Sequence, residues 1–158
     1  MLDFLKEIIS NYALLISVSA WAICQLLKFI IHCIVERKVD FSRFIGDGGM
    51  PSAHSATVVS LAVASGYFAG WDSVPFAVAM MFAIVVMRDA MGVRREAGKQ
   101  AESIKELADA MNKAFLDDDD EIRTENLKVL VGHTPLQVLF GALLGVLVAV
   151  LAIIIFPI

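Results

Sequence analysis

Residues 50–92 read MPSAHSATVVSLAVASGYFAGWDSVPFAVAMMFAIVVMRDAMG, two long apolar runs joined by a short polar turn. A helix needs roughly 20 apolar residues to cross the bilayer core of about 30 Å, and each run approaches that length. Two more segments of the chain share this character, which gives four predicted spans: 9–34, 55–71, 73–93 and 135–157. The sequence therefore predicts an all-α fold, a polytopic bundle of about four transmembrane helices.

The composition of the whole chain agrees with this prediction. Its 158 residues are 58% hydrophobic and 19% charged, with a mean hydropathy of +0.74, which is too apolar for an ordinary soluble domain. One membrane domain, residues 1–158, is expected. The N-terminus MLDFLKEIISNY is acidic and amphipathic, and no small-residue cleavage site follows it, so the first span is expected to be retained.

Basic residues indicate how the bundle is oriented. Of the 13 Lys and Arg residues, only Lys6 precedes the first span, and none lies in the 70–74 hairpin or after residue 128. With four spans, the loops 35–54 and 94–134 face one compartment, and the positive-inside rule makes it the cytoplasm. We expect an integral protein of the cytoplasmic membrane with both termini outside.

Metal, redox and nucleic-acid chemistry find little support in the sequence. Cys24 and Cys33 are nine residues apart inside the first span, which suits packing or lipid contact better than a metal knuckle or a disulfide. The acidic run Asp117–Asp120 is more typical of a solvated turn than of a divalent-cation site. No metal, no cofactor and no nucleic-acid partner are expected.

Two histidines stand where predicted membrane helices begin. His54 follows Pro51, which suits a first helical turn, and His133 follows Gly132 and precedes Thr134 and a second proline. The predicted topology brings both to the same membrane face. Free N–H groups and a partial positive charge make helix N-termini attractive to anions. This face is therefore a candidate phosphate site.

Cations and a serine join the two histidines on that face. Candidate phosphate-binding residues are Arg94, Arg95, Lys99, Lys28 and Ser52. Lys28 shares a helical stripe with Gln25 and His32, and polar groups inside a membrane usually face the bundle interior. Alternatively, Lys28 extends to the headgroups.

Two imidazoles beside a bound phosphate permit a covalent displacement. One ring attacks phosphorus and the other protonates the departing alcohol, roles that suit a group titrating near neutral pH. For a lone interfacial histidine, capping a helix or hydrogen bonding to headgroups is the better interpretation. Two histidines at helix starts, beside an arginine pair, favour the phosphate site.

These motifs resemble a known superfamily. MPSAHS is similar to the PSGH motif of the type 2 phosphatidic acid phosphatases, which are related to vanadium-dependent haloperoxidases, and GHTPLQVLFGALLG resembles their last motif. The order of MPSAHS, DAMGVRREAGKQA and GHTP resembles the divergent branch called acid phosphatase/vanadium-dependent haloperoxidase-related. The resemblance covers nearly the full chain.

The resemblance implies a metal-independent phosphatase that acts on a lipid phosphate or diphosphate. His133 would be the nucleophile that forms a phosphohistidine, His54 the general acid, and Ser52 a ligand of phosphoryl oxygens. Gln137 occupies the position of the acid that orients the nucleophile, and Asp89 is a second candidate orienting residue.

Three departures from the superfamily pattern keep a second function open. Leu127 stands where the last motif has arginine, Val35 stands where the first motif continues after Lys28, and Gln137 is neutral. A neutral amide accepts the imidazole N–H but stabilises an imidazolium less than a carboxylate does. The alternative is a catalytically weak or inactive protein that binds anionic lipids. A transporter is the weakest option, since no midplane site or inverted repeat is visible.

Two further segments carry expectations about assembly. Residues 99–115 have the spacing of an amphipathic helix that lies against the membrane or the bundle, with lid motion of 100–116 left open, and a short helix is expected at about 121–131. The pairs Gly66 with Gly70 and Gly141 with Gly145 allow close helix approach. A homodimer that completes the bundle is compatible with them.

The predicted orientation is testable by cysteine labelling. In a chain without Cys24 and Cys33, Arg94→Cys should react with a membrane-impermeant maleimide only from the cytoplasmic side, whereas Asp72→Cys in the hairpin should react only from outside. Labelling of residue 94 from outside alone would overturn the orientation.

Overall fold

The computed structural model describes residues 2–37, 49–115 and 132–156, and every regular element in these ranges is an α-helix. This confirms the all-α prediction. The helices, in chain order, are α1 (Leu2–Ile9), α2 (Tyr12–Glu36), α3 (Ala53–Ala69), α4 (Val74–Met91), α5 (Val93–Phe115) and α6 (Pro135–Ile155).

Helix α3 is the centre of the bundle and packs against α2, α4 and α6. Its buried surface is made of small side chains: Ala53 and Ala56 contact Cys24 of α2, and Ala64 contacts Ile16 and Ala149. Large apolar side chains instead face outward on α2, α4 and α6. This distribution is typical of membrane helices, where small residues let backbones approach and lipid solvates the large apolar groups.

Three helical stretches are long and apolar enough to cross a membrane: Tyr12–Glu36, Val74–Asn112, which contains α4, and Pro135–Ile155. Helix α3 has 17 residues, which at about 1.5 Å per residue is a length of about 25 Å. It is apolar but short for a bilayer core of about 30 Å. The bundle thus has three to four helices able to span a membrane.

The glycine pairs serve packing inside the chain. Cβ atoms at Gly141 and Gly145 would overlap the backbone of Ser52 and Ala56, so α6 and α3 approach closely along this line. A Cβ at Gly66 would overlap the Trp71 ring. A homodimer, which stays a prediction, would therefore need a surface other than the Gly141 and Gly145 face.

Several helix ends differ from those predicted. Helix α2 begins at Tyr12 because the Asn11 side chain accepts the Leu14 N–H at 3.1 Å. Helical geometry breaks at Gly92, whose φ of −101° and ψ of −95° lie outside the α region, and the amphipathic helix starts directly afterwards at Val93. The predicted helix at 121–131 and the acidic run Asp117–Asp120 lie outside the described residues.

Close α3–α6 packing predicts a sensitive position. A Cβ at Gly145 would lie 2.5 Å from the Ala56 carbonyl oxygen, so Gly145→Ala should lower the free energy of unfolding by about 1–3 kcal/mol through overpacking. The measurement is thermal unfolding in detergent. The control is Leu143→Ala, because the Leu143 side chain is 56% exposed on the outer surface and should be close to neutral. Equal melting temperatures for the two variants would contradict this packing.

Candidate functional site

The start of α3 presents one of the two predicted histidines. Ser52 is the N-cap: its hydroxyl accepts the Ser55 N–H at 3.4 Å, and the first helical residue is Ala53. Pro51 therefore precedes the helix, and the expectation that it lies in the first turn is wrong. The serine oxygen satisfies an N–H that the turn leaves unpaired, and this fixes the boundary one residue after the proline. His54 is in the first turn, as predicted.

The start of α6 presents the other histidine. Thr134 caps the helix and accepts the Gln137 N–H at 3.3 Å, while Gln137 Oε1 accepts the Thr134 N–H at 2.9 Å. These reciprocal bonds are a capping box, with Pro135 at the start of the helix. His133 immediately precedes the cap, so its position is fixed by α6.

Three hydrogen bonds join four helices at this end of the bundle. The Ser52 N–H donates to the Gln137 carbonyl at 3.0 Å, and the His133 N–H donates to the Ala90 carbonyl at 3.0 Å. The Cys24 thiol donates to the Pro51 carbonyl at 3.5 Å. The starts of α3 and α6 and the end of α4 are therefore in direct contact, and α2 is attached to them from the side.

This arrangement brings the two imidazoles together. The ring centroids of His54 and His133 are 6.0 Å apart, with an interplanar angle of 52°. His133 is buried, at 5% exposure, whereas His54 is half-buried. The two histidines are 79 positions apart in the chain and lie at the same end of the bundle.

The Gln137 side chain contacts the His133 ring. Its Oε1 lies 3.3 Å from His133 Nδ1, and the same oxygen accepts the Thr134 N–H, which orients the amide oxygen toward the ring. An acceptor in that position favours the tautomer with hydrogen on Nδ1. The lone pair is then on Nε2, the nitrogen that an electrophile would meet.

Helix α2 contributes a buried cation. Lys28 is 8% exposed and Gln25 is 5% exposed, an unusual degree of burial for a lysine. Cys24 contacts Ala53, and Lys28 lies one turn beyond Cys24 on the same side of α2. The lysine therefore faces the bundle near the start of α3, in keeping with the predicted interior stripe and not with an extended surface residue.

The remaining predicted site residues belong to the end of α4 and the first two turns of α5. Arg95 is exposed, and its backbone packs against Gly132, where a Cβ would overlap it. Lys99 is exposed and forms an ion pair with Glu96 at 2.7 Å, which is worth little in water and is easily exchanged for another anion. Asp89 is half-buried. The side chain of Arg94 lies outside the described part of the chain.

Sequence reasoning missed two contributors at this end of the bundle. Ser55 is fully buried, and its hydroxyl has no partner among the described residues. The Ala90 carbonyl, which holds the His133 backbone, carries no sequence signal at all. A serine directly after a first-turn histidine is a weak signal, because serine is common in first turns for capping reasons.

Comparisons with known proteins agree with the resemblance seen in the motifs. The family model described as the divergent PAP2 family matches residues 9–148. The chain is 42% identical over 147 residues to the uncharacterized membrane protein YuiD of Bacillus subtilis (strain 168), an alignment that covers 89% of this chain and 93% of the relative. No solved structure matches. The chain is therefore an integral membrane protein that belongs to the divergent PAP2 family.

Proposed function

We propose that the protein is a lipid phosphate or diphosphate phosphatase that works through a phosphohistidine on His133, with its site on the cytoplasmic face of the membrane. The observation that carries the proposal is the pair of imidazoles, 6.0 Å apart at two adjoining helix starts. At this separation both rings can contact one phosphoryl group. The helix N-termini supply the positive potential that such a group requires.

In the first step, Nε2 of His133 attacks phosphorus and the bond from phosphorus to the lipid oxygen breaks. Protonated His54 donates its proton to the departing oxygen, which leaves as the lipid alcohol or, from a diphosphate, as the lipid monophosphate. Gln137 holds the Nδ1 hydrogen of His133 throughout, at 3.3 Å. The amide keeps the ring in the reactive orientation, although it stabilises the developing positive charge less than a carboxylate would.

In the second step, water attacks the phosphohistidine. Neutral His54 accepts a proton from the water, the bond from phosphorus to Nε2 breaks, and inorganic phosphate leaves with His133 restored. The reaction uses histidines, water and fixed positive charge only, and it is balanced without a redox partner.

Positive charge around the phosphoryl group comes from two directions. Lys28 approaches from α2 inside the bundle, and Arg94, Arg95 and Lys99 belong to the first two turns of α5 outside it. Ser52 is fully buried and its hydroxyl caps α3, so its proposed part is to fix the backbone N–H groups at the start of this helix, which can hold phosphoryl oxygens. Because the site lies at the end of a membrane bundle, the proposed substrate is a phosphate or diphosphate attached to an apolar tail. Phosphatidic acid, phosphatidylglycerol phosphate and polyprenyl diphosphates belong to this class.

Replacing His133 and replacing His54 should have different effects on turnover and on the phosphoenzyme. His133→Gln should abolish phosphate release from a lipid phosphate panel and the acid-labile phosphoenzyme. His54→Gln should slow turnover by about 10²–10⁴-fold, the range of general acid–base catalysis, and still form a phosphoenzyme. Phosphate release, and phosphoenzyme labelling quenched in alkaline detergent, in which a phosphohistidine survives, measure the two effects.

The third histidine is the matched control. Nδ1 of His32 lies 3.4 Å from the Glu36 carboxylate on the same helix, so His32→Gln should keep turnover near that of the parent protein. If the parent protein releases no phosphate from the panel, or if His133→Gln matches it, the phosphatase proposal fails. Tight binding of phosphate or vanadate without turnover would instead support the inactive, anionic-lipid-binding alternative.

Gln137→Glu tests the orienting role. Glutamate can make the same capping box with Thr134, so α6 should start at the same residue. A carboxylate at Nδ1 stabilises protonated His133, which should raise turnover and move the acidic limb of the pH–rate profile to higher pH, because the ring must lose its proton before it attacks. Gln137→Leu removes both hydrogen bonds and should lower turnover. A pH profile unchanged in Gln137→Glu would contradict the contact.

A further inference from the structure

The amphipathic helix α5 carries an apolar face that no described helix covers. Ile104, Leu107 and Met111 follow one another at intervals of three and four residues, which places them on one side of the helix. Their exposed fractions are 52%, 63% and 42%. Among the described helices, α5 contacts α4 alone. Ala108, at the edge of this face, is buried, whereas the three large side chains are open.

The contact between α5 and the site uses another side of the helix. The Arg95 backbone packs against Gly132, next to His133. Arg95 and Ile104 are nine residues apart, which at about 3.6 residues per turn places them on opposite sides of α5. The attachment to the site therefore leaves the apolar face available to another partner.

The position of α5 identifies what that partner is. Helix α4 has 18 residues, about 27 Å at about 1.5 Å per residue, nearly the full thickness of a bilayer core of about 30 Å. Helical geometry breaks at Gly92, one residue before α5 begins. The first turn of α5 is therefore at the membrane surface, where the nearest apolar phase is the bilayer that α4 crosses.

The charge of the first two turns fits the same partner. Arg94, Arg95 and Lys99 are the first charged residues after α4, apart from Glu96, and basic residues next to a membrane span are attracted to anionic headgroups. An amphipathic helix with such ends and an open apolar face lies in the interface plane. We propose that α5 binds the surface of the bilayer through Ile104, Leu107 and Met111, on the side where the histidine pair opens.

This proposal goes beyond the proposed function and does not depend on it. It assigns to α5 a lipid surface as its binding partner, whether or not the histidines are catalytic. If the histidine pair is catalytic, the bound helix holds the Arg95 contact against Gly132, so the site is complete only when a membrane surface is present.

The test places a fluorophore on either side of α5 in the full chain. Leu107→Cys and, as control, Glu102→Cys are labelled in a background without Cys24 and Cys33 and reconstituted in vesicles of phosphatidylcholine and phosphatidylglycerol. Glu102 is exposed and lies five residues away, on the polar side. Brominated acyl chains should quench the label at residue 107 and spare that at 102, and aqueous iodide should do the reverse. Equal quenching at the two positions would overturn the proposal. A label at 107 that neither quencher reaches would also overturn it, because it would show that protein covers the face.

A charge on the apolar face supplies a second readout. With the label at Ile104→Cys, Leu107→Glu should reduce quenching by brominated chains, whereas Lys105→Glu, which places a glutamate at an exposed position on the polar side of the helix, should not. Loss of quenching in both variants, or in neither, would contradict binding through this face. Phosphate release by the same samples shows separately whether the proposed function holds.

Discussion

The backbone hydrogen bond from the Ser52 N–H to the Gln137 carbonyl joins the starts of two membrane helices, and the candidate site depends on it. In a membrane, an unpaired peptide group costs several kcal/mol by order of magnitude, so such a bond fixes the register between helices firmly. It exists because Gly141 has no Cβ to keep the Ser52 carbonyl away. Through it, His133, which precedes the cap of α6, and His54, in the first turn of α3, come together.

Gln137 serves this end of the molecule through three different atoms. Its carbonyl accepts from Ser52, its own N–H donates to Thr134, and its side-chain oxygen accepts from Thr134 and lies against His133. Helix capping, helix pairing and ring orientation are thereby coupled at one residue. The physical advantage is rigidity: the group that orients the imidazole is itself held by the helix that carries it.

Much of this arrangement could be predicted from the sequence. Apolar run lengths indicated the bundle, and the cap residues around His54 and His133 placed both at helix starts on one side, because these signals are local. What escaped prediction is set by contacts between distant segments. The four-residue spacing of Gly141 and Gly145 indicates that another helix approaches α6 closely, but not which helix. The structure shows that it is α3 of the same chain.

Contacts between distant segments were predicted less well than positions. Arg95 stays a predicted phosphate ligand, and the close approach of its backbone to Gly132 had no signal in the sequence. Pro51 and Ser52 competed for the start of α3, and the hydroxyl cap decided it. The burial of Lys28 was one of two alternatives that periodicity alone left open, and only the packing of α2 on α3 distinguishes them.

The short central helix also affects the lipids around it. At about 25 Å, α3 is several ångströms shorter than the bilayer core of about 30 Å, whereas its 25-residue neighbour α2 is longer than that core. Such hydrophobic mismatch is relieved by local thinning of the bilayer, at a cost of a fraction of a kcal/mol per ångström. A thinner bilayer at α3 would bring lipid headgroups closer to His54, in the first turn of that helix, than a bilayer of uniform thickness would.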